Sequence, residues 1–311
     1  MNWTKTRVLV TGGCSFIGSH LVDALIARGA TVRVADDLSS GTRENIQHHL
    51  DAGAVEFMEV DLLAPGAAER AVDGMQHVFH LAATHGGRGF IDLHQAACAT
   101  NLALDGLMIR AAHRAKVEKF TFASSGCVYP EHLQHDPSEV LYLTEDLVKP
   151  PYDADNLYGW AKLMCELTLR AYHRDYGFKC ASLRSFTAYG ERCLENHAVI
   201  AMIARAFVKQ DPFIVWGTGE QIRNWTYVSD IVEGTILAAE KIDDVAVQPY
   251  VDPNLFGRQR GHRVWLAKTL KATKSPEFWV GRPSYRRRAY GSCDRSSLDL
   301  CADSIVNSLW N

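Results

Sequence analysis

The sequence has no apolar run approaching the roughly 18 residues that a membrane span needs, so a membrane-embedded class is set aside. Its eight cysteines include no C-x-x-C pair and follow no regular spacing, which argues against a disulfide framework and against a zinc cluster; no metal ligand set is expected. A strong charge imbalance is lacking too. The formal net charge is −3, which gives the chain as a whole no electrostatic reason to seek nucleic acid or an anionic membrane. No internal repeat or low-complexity linker is present. Residues Met1 to Lys5 run straight into an apolar segment and leave no room for a signal peptide, so the expectation is a soluble protein of the reducing cytoplasm. What is present suffices for a large α/β domain plus a smaller one: 311 residues, 47% of them hydrophobic.

Arg7–Thr11 is a continuous apolar run of the kind buried on both faces of a parallel sheet. Further strands are expected at Thr31–Ala35, Val55–Val60, Val78–Ala83, Lys119–Ser124 and Ala181–Arg184. Apolar residues at helical spacing place helices at His20–Arg28, closed by Gly29, and at Ala96–Arg114 and Asn156–Tyr176. Strands alternating with helices imply a Rossmann-type, doubly wound parallel sheet, with a smaller C-terminal substrate-binding lobe. The expected division is 1–180 for the dinucleotide part and 181–311 mainly for the substrate lobe. Charge changes along the second part: residues 1–245 hold 22 basic and 31 acidic side chains, whereas 246–311 hold 11 and 5. That basic tail, with Arg286-Arg287-Arg288, reads either as a cap over an anionic nucleotide or as a segment translated out of frame.

The turn Gly12-Gly13-Cys14-Ser15-Phe16-Ile17-Gly18 follows the first strand and opens the first helix. Small residues there let backbone N–H groups approach a pyrophosphate seated on the helix terminus. Asp36 stands 18 residues after Gly18, at the end of the second strand. A carboxylate in that position hydrogen-bonds ribose hydroxyls and repels a 2′-phosphate, so it predicts NAD rather than NADP.

Tyr158 and Lys162 are four apart on an expected helix and so share a face. An ammonium near a phenol lowers its pKa, which makes Tyr158 a candidate general base for a hydroxyl. Ser125 would hydrogen-bond the same oxygen.

The Gly-rich turn, the serine and the Tyr-x-x-x-Lys pair, in that order, resemble the extended branch of the short-chain dehydrogenase/reductase superfamily, the NAD-dependent nucleotide-sugar epimerases and dehydratases. The resemblance covers roughly residues 6–240. It implies that Gly12, Ser15, Phe16, Ile17 and Gly18 cradle the cofactor, that Asp61 and Leu62 lie along the adenine, and that Leu81, Ala82, Ala83 and Ser124 line the ribose and nicotinamide side. Asn101 would sit under the cofactor, and Tyr158 and Lys162 would contact it.

Ser124-Ser125-Gly126-Cys127-Val128-Tyr129-Pro130 is similar to the corresponding stretch of the GDP-mannose 3,5-epimerases and, one residue shorter, of the GDP-fucose synthases. There the cysteine removes protons from sugar carbons beside a C4 ketone, and a second group follows the Tyr-Gly motif. Here Tyr189-Gly190 is followed by His197. The resemblance further implies sugar-nucleotide contacts from Gly87, Arg88, Ser125, Thr187, Asn196 and Arg223. Thr187 stands where the family has asparagine. The implied activity is epimerisation through a transient 4-keto sugar, with C3/C5 inversion by Cys127 and His197. Simple UDP-hexose 4-epimerisation, needing only Ser125, Tyr158 and Lys162, is the alternative, as is a non-catalytic NAD-binding protein. The expected partner is a nucleotide-diphosphate sugar, and the expected assembly a homodimer through the helices near Ala96–Arg114 and Tyr158.

Overall fold

The computed structural model describes residues 2–134, 143–194, 197–215 and 225–245. Asn196, Arg223 and the basic tail from 246 lie outside the described residues.

In chain order the elements are β1 (Arg7–Thr11), α1 (Phe16–Ala27), β2 (Thr31–Asp36), α2 (Gln47–Asp51), β3 (Val55–Glu59), α3 (Ala67–Val72), β4 (His77–His80), α4 (Arg88–Leu93), α5 (Gln95–Ala99), α6 (Asn101–Arg114) and β5 (Lys119–Ser125). They continue with α7 (Asn156–Tyr176), β6 (Lys179–Ser185), β7 (Thr187–Tyr189), α8 (Ala198–Phe207), β8 (Trp225–Tyr227), α9 (Val228–Glu240) and α10 (Ile242–Val245). Six strands form one sheet in the order β3-β2-β1-β4-β5-β6, every neighbouring pair parallel. β7 and β8 pair separately, with Thr187 opposite Trp225.

Successive residues of β1 serve opposite faces, as a strand's period of two requires. Leu9 packs with Met108 and Ile109 of α6, Leu169 of α7, and Phe120 and Phe122 of β5. Val8 and Val10 pack with Leu21, Val22 and Leu25 of α1 and Val232 and Ile236 of α9. The sheet is therefore covered on both sides, and each fully buried Leu, Ile, Val or Phe contributes about 1.5–3 kcal/mol of transfer free energy. A boundary at residue 180 falls inside β6, and α9 returns to the main sheet after the β7–β8 excursion.

Helix α1 starts at Phe16 rather than at the expected His20, and β6 at Lys179 rather than at the expected Ala181. Two further elements differ where side chains bond to distant backbone. β4 ends at His80 rather than continuing to Ala83, because the Thr11 hydroxyl accepts the N–H groups of both Leu81 and Ala82, at 3.1 Å each. Having accepted twice, that hydroxyl donates to Nδ1 of His80 (2.7 Å), which leaves Nε2–H of His80 to donate to Asp105 (3.0 Å). The helix expected over Ala96–Arg114 is two helices, α5 and α6, meeting at Thr100. There the Asn101 side chain turns back to bind Thr84, accepting its N–H at 2.7 Å and donating to its carbonyl at 2.9 Å.

Candidate active site

Strand order reverses between β1 and β4, and in open parallel sheets ligands bind beyond the carboxyl ends of the strands at such a point. A cleft of about 1260 Å³ opens there. It is lined by Gly12, Ser15, Phe16, Ile17 and Gly18 from the first turn, by Asp36, and by Asp61 and Leu62 after β3. Leu81, Ala82, Ala83, Gly87 and Arg88 come from the segment after β4, and Ser124, Ser125 and Cys127 from the end of β5. Tyr158, Lys162, Thr187 and His197 complete the wall. Among the expected site residues that are described, Asn101 alone does not line the cleft. It is fully buried and holds Thr84 from behind, so its place is to shape the wall and not to face a ligand.

The turn has the shape a dinucleotide needs. A β-carbon at Gly18 would lie 2.0 Å from the carbonyl oxygen of Gly12, so only glycine lets the helix start this close to the strand. Ser15, in place of the middle glycine of the G-x-x-G-x-x-G turn that the sequence resembles, sits at the N-cap of α1 with φ −82 and ψ 176, a conformation open to any residue. The departure therefore costs the backbone nothing. The Asp36 carboxylate accepts the N–H of Cys14 and of Leu38, both at 2.9 Å, which aims it into the cleft at the end of β2. Burial raises its pKa, and the two amide hydrogen bonds work the other way. These residues fit an NAD: a glycine cradle for pyrophosphate and an oriented carboxylate for ribose.

At the other end of the cleft, helix α7 carries Tyr158 and Lys162 on one face. Lys162 is almost fully buried, with its ammonium 4.6 Å from the Phe122 ring centroid and 5.9 Å from that of Tyr158. The expectation that the ammonium lowers the tyrosine's pKa is not met here. Burial raises the Tyr158 pKa, and the negative potential of Cys127, Asp105 and Cys98 adds to it, while a hydrogen bond with Ser125 opposes. Desolvation of an anion outweighs a cation held at the ring face.

Cys127 follows Ser125 in a short 3-10 turn, and the Ser125 hydroxyl accepts its N–H at 3.1 Å. Its carbonyl accepts the N–H of Asp155 at 2.9 Å, and a β-carbon at Gly159 would come within 2.3 Å of that same oxygen. The turn thus rests directly on the backbone of α7. Burial raises the thiol pKa first of all, Ser125 lowers it, the Asp155 carboxylate raises it and the Arg88 guanidinium lowers it. His197, at the N-cap of α8, has its imidazole pKa lowered by burial.

Three residues that the sequence did not single out belong to this constellation. His85 is exposed to the cleft yet crowded by protein; burial, with Lys162 and His197 nearby, lowers its pKa to about 4. Glu166 is buried and binds the Arg184 guanidinium through both oxygens (3.0 and 2.7 Å) and the Ser124 hydroxyl (2.6 Å), which fixes the end of β5. Asp155, the N-cap of α7, pairs with Arg88. The available signals were the i, i+4 relation of Lys162 to Glu166 and an acidic residue at a helix start. His85 offered none beyond its place beside the Gly86-Gly87 loop.

The model of the NAD dependent epimerase/dehydratase family matches residues 8–251. Among curated proteins, GDP-mannose 3,5-epimerase 1 of Oryza sativa subsp. japonica is 32% identical over 237 residues, which is 75% of this chain and 61% of that protein. UDP-glucuronic acid decarboxylase 2 of Arabidopsis thaliana is 31% identical over 235 residues, 75% of this chain and 51% of that protein. The chain thus spans half to three fifths of the length of these relatives. Among solved structures, UDP-glucose 4-epimerase of Thermotoga maritima with UDP-glucose has a TM-score of 0.65 at 30% identity, covering 76% of this chain and 74% of that one. The Thermus thermophilus UDP-glucose 4-epimerase complex with NAD has a TM-score of 0.64 at 32% identity, covering 75% and 74%.

Proposed function

Given that the chain belongs to the NAD-dependent epimerase/dehydratase family and is an extended short-chain dehydrogenase/reductase, we propose that it is a nucleotide-sugar epimerase working through a transient 4-keto sugar, with inversion at C3 and C5. The observation that carries this reading is the convergence of Ser125, Cys127, Tyr158 and His197 on one cleft. A C–H beside an ordinary sugar hydroxyl is too weak an acid for any side chain; a ketone at C4 makes both neighbouring protons removable. Bound NAD would supply the hydride acceptor and a positive ring beside the phenol. Tyr158 takes the C4 hydroxyl proton, Ser125 holds that oxygen, and Lys162 keeps the phenolate tolerable in a dry site. Cys127 and His197 exchange protons with the ring carbons. A nucleotide diphosphate is the handle; of the residues expected to contact it, Gly87, Arg88 and Thr187 line the cleft, while Asn196 and Arg223 lie outside the described residues.

In this reading residues 1–180 bind NAD and 181–311 form mainly the substrate lobe, apart from β6 and α9, which the second stretch lends to the main sheet. The protein is a homodimer through α6 and α7, whose outer faces expose Leu102, Trp160 and Met164. A cytoplasmic location fits six described cysteines that are all free; no helix among the described residues is long and apolar enough to cross a membrane.

The test is incubation of the full chain with NAD and GDP- or UDP-hexoses in deuterated water. Deuterium at C3 or C5 of recovered sugar supports the proposal. The solved 4-epimerases among the similar structures favour one second reading, inversion at C4 alone, which incorporates no deuterium there. Binding without transient reduction of the cofactor would leave only a dinucleotide-binding protein.

A further inference from the structure

Outside the cleft, three side chains that carry metal-binding atoms converge. Asp23 stands on α1, and His48 and His49 are consecutive residues of α2. Successive residues of a helix point about 100° apart and do not ordinarily face one target. Here the two imidazole rings lie 3.9 Å apart, centroid to centroid. Both Nε2 atoms reach the same oxygen, Oδ1 of Asp23, at 3.3 Å from His48 and 2.7 Å from His49. All three donor atoms lie within 4.8 Å of one another. The other carboxylate oxygen, Oδ2, faces Arg192, whose Nη1 is 2.9 Å away. Asp23, His48 and His49 do not line the cleft, whereas Arg192 does.

We propose that Asp23, His48 and His49 form a site for a divalent ion of the zinc class, held by two imidazole nitrogens and one carboxylate oxygen, with water as the fourth ligand. Donors bound at about 2.0–2.2 Å in a tetrahedron lie about 3.3–3.5 Å from one another. The separation of His48 from Asp23 already has that value. His49 has to draw back from the carboxylate by about 0.6 Å to reach it. The His48 and Asp23 side chains are 55% and 32% exposed, so water reaches the fourth position, while His49 at 15% is held by its surroundings. Two imidazoles select zinc, nickel or copper over magnesium and calcium, which prefer oxygen donors. Each imidazole binds in its neutral form, with the proton on Nδ1 and the lone pair of Nε2 on the ion. Arg192 leaves the carboxylate one oxygen for the metal, and its positive charge moderates the affinity. The set contains no cysteine, so the irregular cysteine spacing has no bearing on it. A bound ion clips α2 to α1. The proposal does not depend on the epimerase reading.

The test is protection of histidine by zinc in the full chain, with neither cofactor nor sugar present. Modification by diethyl pyrocarbonate is followed residue by residue with peptide mass spectrometry. His132, whose side chain is 60% exposed, serves as the internal reference. Zinc in slight excess over the chain slows modification of His48 by about tenfold or more, the scale on which ligands of such sites act, and leaves His132 unchanged. Asp23→Asn removes the protection. Equal rates at His48 with and without zinc overturn the proposal and leave an ordinary hydrogen-bonded pair on a carboxylate. Zinc also raises the midpoint of thermal unfolding of the natural chain and not of Asp23→Asn, because an ion that binds only the folded site stabilises it. An equal rise in both chains places the zinc elsewhere, as an adventitious ion only, and overturns the proposal. Should Asp23→Asn fail to fold, His49→Gln decides: zinc protection of His48 that persists in that variant overturns it.

Discussion

Helices α1 and α8 are both rich in apolar residues, yet α1 buries Gly18, Ser19, Leu21, Val22 and Leu25 while α8 buries none of its ten residues. α1 packs on the sheet beside α9, in one apolar cluster with Val8 and Val10. α8 carries Ile203 and Phe207 at 56% and 87% exposure, and nothing among the described residues covers them. The first helix forms half of a dinucleotide cradle and the second begins at His197. Stability is therefore concentrated on the cofactor side of the cleft, and the histidine on the sugar side is carried by an element with little packing of its own.

That contrast can be broken or sharpened by substitution. The largest effect is expected from Tyr158→Phe, which should cut turnover by about 10²–10⁴-fold while a fluorescence titration shows NAD binding unchanged. A variant that turned over normally would remove the phenol from the chemistry. Glu166→Gln should follow. It strands Arg184 in a buried place, and breaking such a pair costs about 3–5 kcal/mol, read as a lower midpoint in urea. Leu21→Ala in α1 should cost about 2–5 kcal/mol by the same measurement.

The pH profile of kcat/KM tests the two sides together. His197 has its pKa lowered, so its imidazole stays neutral below the ordinary histidine value of 6.5, and an acid limb set by it lies under that value. Cys127 has its pKa raised, so the thiol survives above its ordinary 9.0 and the alkaline limb lies beyond that. A plateau narrower than these bounds would contradict the burial of both groups. The smallest effect belongs to Ile203→Ala on α8, within about 0.5 kcal/mol, as for surface positions generally. A cost matching that of Leu21→Ala would mean that the outer face of α8 is covered in solution.

Much of the cofactor side was legible because local pattern and tertiary environment agree there. β1 and α7 have the ends expected from their apolar spacing, and Asp36 lies at the strand end where its role requires it. Two of the departures involve a side chain bonding far along the chain. The Thr11 hydroxyl binds the N–H groups of Leu81 and Ala82 just past the end of β4, and Asn101, the first residue of α6, binds Thr84. No window of sequence contains both partners. Asp155 and His85 were invisible for a related reason: each matters only through neighbours brought from other elements. The tyrosine pKa was misjudged because spacing reports which face two residues share and says nothing of how dry that face is.

The contact of the Cys127 carbonyl with the bare backbone at Gly159 has a practical reach. Because main chain rests on main chain, the gap between sulfur and phenol is set before either side chain is chosen. Exchanging one reactive group leaves its companion where it stood. An engineer could therefore fit a different acid or base at position 127 as one changes a bit in a fixed chuck, and a lost activity would report on the reagent swapped and not on a collapsed socket.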